Sequence, residues 1–307
     1  MKKSGDLKNA DAGNYIIGAG VTGLLAGLLL NDYKIISRKE NIGGQLNAPF
    51  QLGPRFIRKN KSIVSLLKKL KVDFLVKNVK IGYFNGEEVL DSPTEEMKQT
   101  YVNKTRGQTQ NSNSFMNDGL NTMKVLKFDM DAFIFKLQDE MKKQIIDSDV
   151  VKIDVDKKEL ILDNGRVLKY NKLISTIHYV DLCSLINKKT DLQFGDIFFF
   201  LTDKTAIPYD KKYAFVYIIS DNLPFNRMTN TKDGVVLESP KSLSKIDFDR
   251  YKIKRYYILK NGKLKGTYNV EQIPGIVLLG RYATLDNEIR IHNICDKIME
   301  LKKNGQA

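Results

Sequence analysis

The stretch Asn14-Tyr-Ile-Ile-Gly18-Ala-Gly20-Val-Thr-Gly23 decides the fold of this chain. Tyr15 to Ile17 is a short apolar run of the kind buried in a parallel sheet, and Thr22 to Leu30 reads as a helix apolar on most faces. Between them the glycines fit GxGxxG in its required setting, directly after a strand and opening a helix. Gly18 permits a tight turn, Gly20 lets the backbone approach a pyrophosphate, and Gly23 lets the helix pack closely on the strand. The free N–H groups of a helix start favour a diphosphate, so the stretch predicts a bound dinucleotide. Lys34-Ile-Ile-Ser37 supplies the next strand and completes a βαβ start.

An acid about 20 positions further on normally bonds the ribose hydroxyls. Here Ser37 stands at the strand end, followed by Arg38, Lys39 and Glu40. A serine bonds a ribose weakly, Glu40 is near enough to reach it, and Arg38 suits the 2′-phosphate of NADP. The spacing leaves FAD and NADP both open. A second glycine pair, Gly43-Gly44-Gln45, follows closely.

Downstream, Ile63, Leu66, Leu67 and Leu70 recur at helical spacing, with Lys61, Lys68, Lys69 and Lys71 on the other side. Residues 91–122 are polar and read as an excursion, a lid or a flexible loop. Asp131 reads as an N-cap for a helix carrying Phe133, Leu137 and Met141. Val150 to Val155 and Glu159 to Leu168 alternate around an Asn164-Gly165 turn, a hairpin signal. Leu173 to Ile177 and Gly275 to Gly280 read as further buried strands. Ile197–Leu201, Tyr213–Ile219 and Val235–Leu237 are rich in aromatic and β-branched residues, as in an antiparallel sheet. A last helix carries Ile291, Ile294, Cys295 and Ile298 on one stripe, so Cys295 reads as packing. No internal repeat is present.

With 307 residues, 42% hydrophobic and 28% charged, the chain is long enough for a large core and too apolar to be disordered, apart from its polar first dozen residues. Its longest apolar run, Val21 to Leu30, is far short of the roughly 20 residues that span a bilayer. The polar N-terminus predicts no secretory leader, and no membrane partner is expected. Cys183 and Cys295 have neither disulfide-framework nor zinc spacing, which fits a reducing, cytoplasmic location and no metal. The net charge of +14 fits an anionic small molecule or a nucleic acid as substrate, though an AT-rich genome also enriches lysine over arginine. The oligomeric state is left open.

Ile42-Gly43-Gly44-Gln45 resembles the second glycine signature of the superfamily of flavin-containing amine oxidases, protoporphyrinogen oxidase and UDP-galactopyranose mutase. Leu52-Gly53-Pro54-Arg55-Phe56-Ile57-Arg58 resembles the segment that in the mutases carries histidines beside the flavin, with arginines in both places. Val151 to Ile177 is similar to the part whose backbone near Val150 and Val151 holds the adenine. Tyr217 to Asn230 is similar to the sheet segment whose arginine, here Arg227, meets a substrate diphosphate. Gly280-Arg281-Tyr282-Ala283 resembles the C-terminal flavin-binding motif at a helix start. The chain departs from the mutases at Leu285, where their substrate-contacting tyrosine falls, and from the oxidases in having no tryptophan.

The resemblance implies FAD rather than NADP. It implies an α/β chain with a Rossmann-type, glutathione-reductase-like FAD-binding domain over 12–60, 125–185 and 262–307. An antiparallel-sheet substrate lobe would take 61–124 and 186–261, with substrate entering between the two. Implied cofactor-binding residues are Gly18, Gly20, Gly23, Ser37, Arg38, Gly43, Gly44, Gln45, Arg55, Val151, Gly280, Arg281 and Tyr282. Arg58, Arg227, Tyr256 and Tyr257 are the substrate-binding candidates, since arginine offers a fork for carboxylate or phosphate and tyrosine a ring to stack on. His178, Arg227 and Tyr257 are the catalytic candidates, against which His178 also reads as a hydrogen-bonded residue at a strand end. The implied activity is oxidation of a C–N or similarly activated carbon of an anionic substrate, one form being an amine-bearing modified base in DNA or RNA. A flavin-dependent nucleotide-sugar mutase without net redox change and a non-catalytic dinucleotide-binding protein are the alternatives.

Overall fold

The computed structural model describes residues 12–106, 122–208, 210–265, 270–286 and 289–306. From the N-terminus these form β1 (Gly13–Ile17), α1 (Val21–Leu30), β2 (Tyr33–Ile36), β3 (Ile57–Arg58), α2 (Lys61–Lys69), β4 (Phe74–Phe84), β5 (Val89–Leu90), α3 (Glu95–Arg106) and β6 (Thr122–Phe128). There follow α4 (Met130–Met141), β7 (Ile145–Ile146), β8 (Val150–Asp154), β9 (Glu159–Leu162), β10 (Val167–Ser175), α5 (Tyr179–Leu185), β11 (Gln193–Thr202) and β12 (Tyr213–Ile218). The chain closes with β13 (Arg227–Thr231), β14 (Gly234–Ser239), α6 (Lys245–Arg250), β15 (Arg255–Lys265), β16 (Ile276–Leu278), α7 (Arg281–Thr284) and α8 (Ile291–Lys303). They belong to two compact units, one made of the described residues of 1–45, 131–190 and 270–307, the other of 46–130 and 191–269.

In the first unit the strand order is β7-β2-β1-β10-β9-β8, with β16 also on β10. β7, β2, β1, β10 and β16 are parallel, whereas β10, β9 and β8 form an antiparallel meander. β10 serves both. Val167 to Lys169 pair with β9, and Tyr170 to Ser175 pair with β1. The turn between β9 and β10 is at Asn164 and Gly165, with Gly165 at φ +80°. α1 packs on β1, β2 and α8, burying Leu24, Leu25 and Ala26 completely. Each such leucine contributes about 1.5–3 kcal/mol of burial. α8 buries the Ile294, Cys295 and Ile298 stripe. α4 begins at Met130, so Asp131 lies in its first turn instead of capping it, while Phe133, Leu137 and Met141 are buried as expected.

The second unit is built on a sheet in the order β15-β11-β14-β13-β12-β4-β6-β3, with β5 on β4. β12 and β4 are parallel, and the other pairs are antiparallel. Phe200, Val216, Ile218, Phe225, Met228 and Leu237 make its principal core. Residues 46–60 pack with this unit, Ile57 and Arg58 pairing with Leu126 and Val125, although the sequence groups them with the nucleotide-binding part. The polar excursion is also corrected in part. Glu95 to Arg106 is helical, pinned by buried Tyr101 and Val102 and begun by Thr94, whose hydroxyl accepts the Met97 N–H at 3.2 Å. Residues 107–121 of that excursion, and the polar residues 1–11, lie outside the described residues.

Candidate functional site

The first turn of α1 is the centre of the first unit. Gly18 has φ +100°, and a Cβ there would stand 2.7 Å from the Thr176 hydroxyl, which donates to the Ile17 carbonyl at 2.9 Å. At Gly23 a Cβ would lie 1.9 Å from the Gly18 carbonyl oxygen, so this glycine is demanded by packing of α1 on its own turn. Gly20 differs from both. Its φ of −63° suits any residue, and a Cβ would meet nothing within 4 Å. Gly20 is the N-cap of α1, the space beside it is open, and no side chain caps the first-turn N–H groups. A diphosphate fits that combination of space and donors.

Two remote segments close around the turn. The Gly43 N–H donates to the Ala19 carbonyl at 2.8 Å, Gly20 and Gly43 form a parallel bridge, and a Cβ on Gly44 would lie 3.2 Å from the Gly20 Cα. Gly280, with φ +95°, lies against Thr22, where a Cβ would come within 2.9 Å of the side chain. Arg281 and Tyr282 open α7 directly after it, and Gln45 is exposed beside Gly44. His178 caps α5, its Nδ1 accepting the Val180 N–H at 3.3 Å, and its ring lies 5.9 Å from that of Tyr282. The structure thus brings Gly18, Gly20, Gly23, Gly43, Gly44 and Gly280 together, and His178 to Tyr282.

At the end of β2, Ser37 is buried and its hydroxyl is directed at the Arg38 carbonyl at 3.3 Å. Arg38 is held by two carboxylates. Its Nε donates to Asp149 Oδ2 at 3.0 Å and its Nη2 to Asp163, and the bond to Asp149 is the main cause raising its pKa above the usual arginine value. Neighbouring Lys39 is paired with Asp147 through its N–H and its ammonium, the N–H bond chiefly holding that carboxyl below its usual range. Val151 is 52% exposed in a bulge of β8, where Val150 pairs with Leu162 and Lys152 with Ile161, leaving its backbone outside the ladder.

In the second unit Arg227 lies on β13 between Tyr217 of β12 and Glu238 of β14. Its guanidinium meets the Glu238 carboxylate at 2.5 Å and lies near Gly53, where a Cβ would be 3.2 Å from Nη2. Burial works against the charge of Arg227, but Glu238 and the neighbouring phenols raise its pKa overall. The Asn226 amide donates to Glu238 at 2.7 Å and to the Tyr101 hydroxyl at 3.3 Å. Tyr101 stands edge-on to Tyr217, burial pushing its phenol well above the usual value. Tyr101, Tyr217, Asn226 and Glu238 were missed as a group. The two-residue turn of the β13–β14 hairpin is Lys232-Asp233, one residue before the Asp233-Gly234 pair, and this register sets Arg227 opposite Glu238.

The remaining candidates are less converged. Tyr256 and Tyr257 are adjacent on β15, so they face opposite sides of the sheet. Tyr256 is 57% exposed with Phe248 edge-on to it, and Tyr257 packs on Phe50, Phe199, Leu201 and Val236, so the two do not form one stacking surface. Arg55 donates to the Leu46 carbonyl at 3.3 Å, and Arg58 lies in β3 opposite Val125. Among the described residues no cluster of His, Cys, Asp or Glu could hold a metal ion, and no helix is long and apolar enough to cross a membrane.

A parallel sheet with a glycine turn at its first helix, accompanied by a unit built on a largely antiparallel sheet, defines a Rossmann-type class of fold. Within that class the chain has the fold of UDP-galactopyranose mutase and the amine oxidases. It is similar to reduced UDP-galactopyranose mutase, with a TM-score of 0.62 and 11% identity over 97% of this chain and 95% of that one. Cyclohexylamine oxidase from Brevibacterium oxydans matches with a TM-score of 0.66 and 10% identity, over 97% of this chain and 100% of the other. Putrescine oxidase bound to putrescine matches with a TM-score of 0.57 and 10% identity, over 94% and 99%. No protein-family model and no curated protein sequence matches the chain.

Proposed function

We propose that the chain is an FAD-dependent oxidoreductase that oxidises a C–N bond or similarly activated carbon of an anionic substrate. The observation that carries the dinucleotide is the open space beside Gly20 at the α1 N-terminus, enclosed by Gly43, Gly44 and Gly280. When bound, FAD would supply the hydride-accepting chemistry for the carbon beside nitrogen, with oxygen or another acceptor as the electron sink. The chain's own groups supply binding: Gly20 leaves room for the diphosphate, and the first-turn N–H groups of α1 offset its charge. The fold neighbours support FAD, since they include two amine oxidases and a mutase of the superfamily that the glycine signatures resemble.

The distribution of charge supports an anionic substrate. The first unit carries 22 lysines and arginines against 19 acids, a surplus of three, while the second carries 28 against 17, a surplus of eleven. Compositional drift alone would spread the surplus over both. Lys59, Lys61 and Lys68 line a cleft of about 390 Å³ in the second unit, and Lys77, Lys124 and Lys127 are exposed on the strands of the same unit. One form of this reading is an amine on a modified base in DNA or RNA, which would have to be single-stranded or flipped out of a duplex to react.

The test is the absorbance spectrum of the purified protein, repeated anaerobically with candidate amines, with NADPH and with a UDP-sugar. A yellow protein bleached by an amine is the expected result. Turnover of a UDP-sugar by pre-reduced protein, without net use of reductant, would instead establish the mutase reading. A colourless protein that FAD cannot reconstitute would overturn both and leave a non-catalytic fold. Salt-dependent retention of a single-stranded oligonucleotide tests the nucleic-acid form, and no retention at low salt removes it.

A further inference from the structure

The end of β2 lacks the acid that usually holds a ribose, yet a carboxylate is present there. Asp149 precedes β8 and is drawn to Arg38, two residues beyond the last residue of β2, by the 3.0 Å bond to Nε. Asp163, at the end of the β9 strand, takes Nη2 of the same arginine. The two carboxylates differ in what they have left. Asp163 Oδ2 is used by Arg38, while its Oδ1 accepts from the Ser148 hydroxyl and from the Asp149 N–H at 3.3 Å. Asp149 gives only Oδ2 to Arg38, its Oδ1 accepts no hydrogen bond among the described residues, and its side chain is 52% exposed. The surroundings contain Arg38 and Lys39 against Glu40, Asp147, Asp149 and Asp163, an excess of negative charge.

We propose that Asp149 is the ribose-binding carboxylate of this chain, that Arg38 is the residue positioning it at the end of β2, and that the acidic set around Arg38 excludes a 2′-phosphorylated nucleotide. The ligand class is an adenosine 5′-diphosphate group with an unmodified ribose. In this fold the ribose hydroxyls lie over the end of the second strand, where an acid accepts from them and an unpaired arginine receives a 2′-phosphate. Ser37 is too short and too buried to be that acceptor. Asp149 has the acceptor atom left over, and Arg38 already gives Nε and Nη2 to two carboxylates whose negative charge opposes a 2′-phosphate. The inference rests on the dinucleotide reading of the Gly18 turn.

The experiment is calorimetric titration of the full chain, freed of bound nucleotide, with ADP, 2′-deoxy-ADP and adenosine 2′,5′-bisphosphate. The wild type is expected to bind ADP on the order of tenfold more tightly than 2′-deoxy-ADP, as a hydrogen bond to a charged acceptor provides, while the bisphosphate, which lacks the β-phosphate, is compared only between variants. Asp149→Asn and Arg38→Ala are each expected to bring ADP and 2′-deoxy-ADP to within about twofold of each other, as loss of a charge-assisted bond requires. Asp149→Glu is expected to restore part of the preference. The double variant Asp149→Asn/Asp163→Asn, with Arg38 released, is expected to bind the 2′,5′-bisphosphate at least about tenfold more tightly than the wild type does. A purely structural role would weaken all three nucleotides equally and leave their ratios alone. Unchanged ratios in Asp149→Asn, or a gain for the bisphosphate that persists when Arg38→Ala is added, would overturn the inference while the dinucleotide reading stands. A wild type that binds neither ADP nor FAD overturns that reading, and the inference with it.

Discussion

Gly20→Ala and Gly23→Ala should separate binding from stability within one turn. At position 20 the added methyl meets nothing within 4 Å, and φ is −63°, so the folded chain accepts it. Restricting the unfolded chain then stabilises the protein by about 0.4–1 kcal/mol. The same methyl occupies the space left for a diphosphate. If it removes two charge-assisted hydrogen bonds of about 1.5–3 kcal/mol each, affinity falls by at least about 3 kcal/mol, roughly a hundredfold. At position 23 the methyl would lie 1.9 Å from the Gly18 carbonyl oxygen, and neither side of that contact is a movable side chain. α1 must shift away from its turn, at a cost of about 3 kcal/mol or more, which lowers Tm by about 6–12 °C. FAD affinity is read by fluorescence quenching and stability by urea and thermal unfolding of the apo-protein. A Gly20→Ala protein that keeps FAD within about threefold of the wild-type affinity, against the loss expected from two bonds, would refute the cradle. One destabilised as much as Gly23→Ala would refute the open space.

Glu238→Gln leaves the mostly buried Arg227 without its counter-charge and should cost about 2–3 kcal/mol in urea unfolding, the buried-pair loss reduced for partial exposure. Arg227→Met/Glu238→Met should recover at least half of it; a single variant within about 0.5 kcal/mol of wild type contradicts the pairing. Lys104, whose ammonium donates to the Ile218 and Ser220 carbonyls, has its pKa pushed down to about 8 by burial. The unfolded chain holds more protons on this group between its folded value and the usual 10.5, so its contribution makes stability rise with pH across that window. The stability of wild type relative to Lys104→Met should therefore rise by about 1 kcal/mol between pH 8 and 10, and a flat difference would disprove it. Burial raises the Cys183 thiol and pushes Cys295 up to about 11, so neither should react with a thiol reagent at pH 8 until the protein is unfolded; rapid labelling of native protein would count against that packing.

The glycine turn was legible because glycine marks, residue by residue, where the backbone needs positive φ or close approach, and the contact of Gly43 with Ala19 joins segments near in sequence. The pairing of Arg38 was not legible for the opposite reason. Its two partners lie 111 and 125 residues away, and nothing local announces that they neutralise it. α3 was hidden by composition, since Tyr101 and Val102 are its buried anchors among mainly polar neighbours, and a polar count outweighs so few apolar positions. The tyrosine pair fell to periodicity, because adjacent residues in a strand cannot share a face. Glu238 was hidden by register: an Asp233-Gly234 turn would set Thr229 opposite it, whereas the turn lies one residue earlier, at Lys232-Asp233, and brings Arg227 there.

β10 has a consequence for how selectivity can change. One end of this strand is registered against β1 and so against the glycine turn, and the other carries β9, whose far end presents Asp163 to Arg38. In the proposed nucleotide site the strand would therefore be a ruler between the diphosphate and the ribose ends. Inserting one residue between Lys169 and Leu173 would displace the hairpin by about 3.3 Å and turn its side chains to the opposite face, while β1 kept its register with the strand's later half. On that proposal, grip on the diphosphate and choice of sugar are inherited on separate lengths of the same strand, and one could be rewritten without disturbing the other.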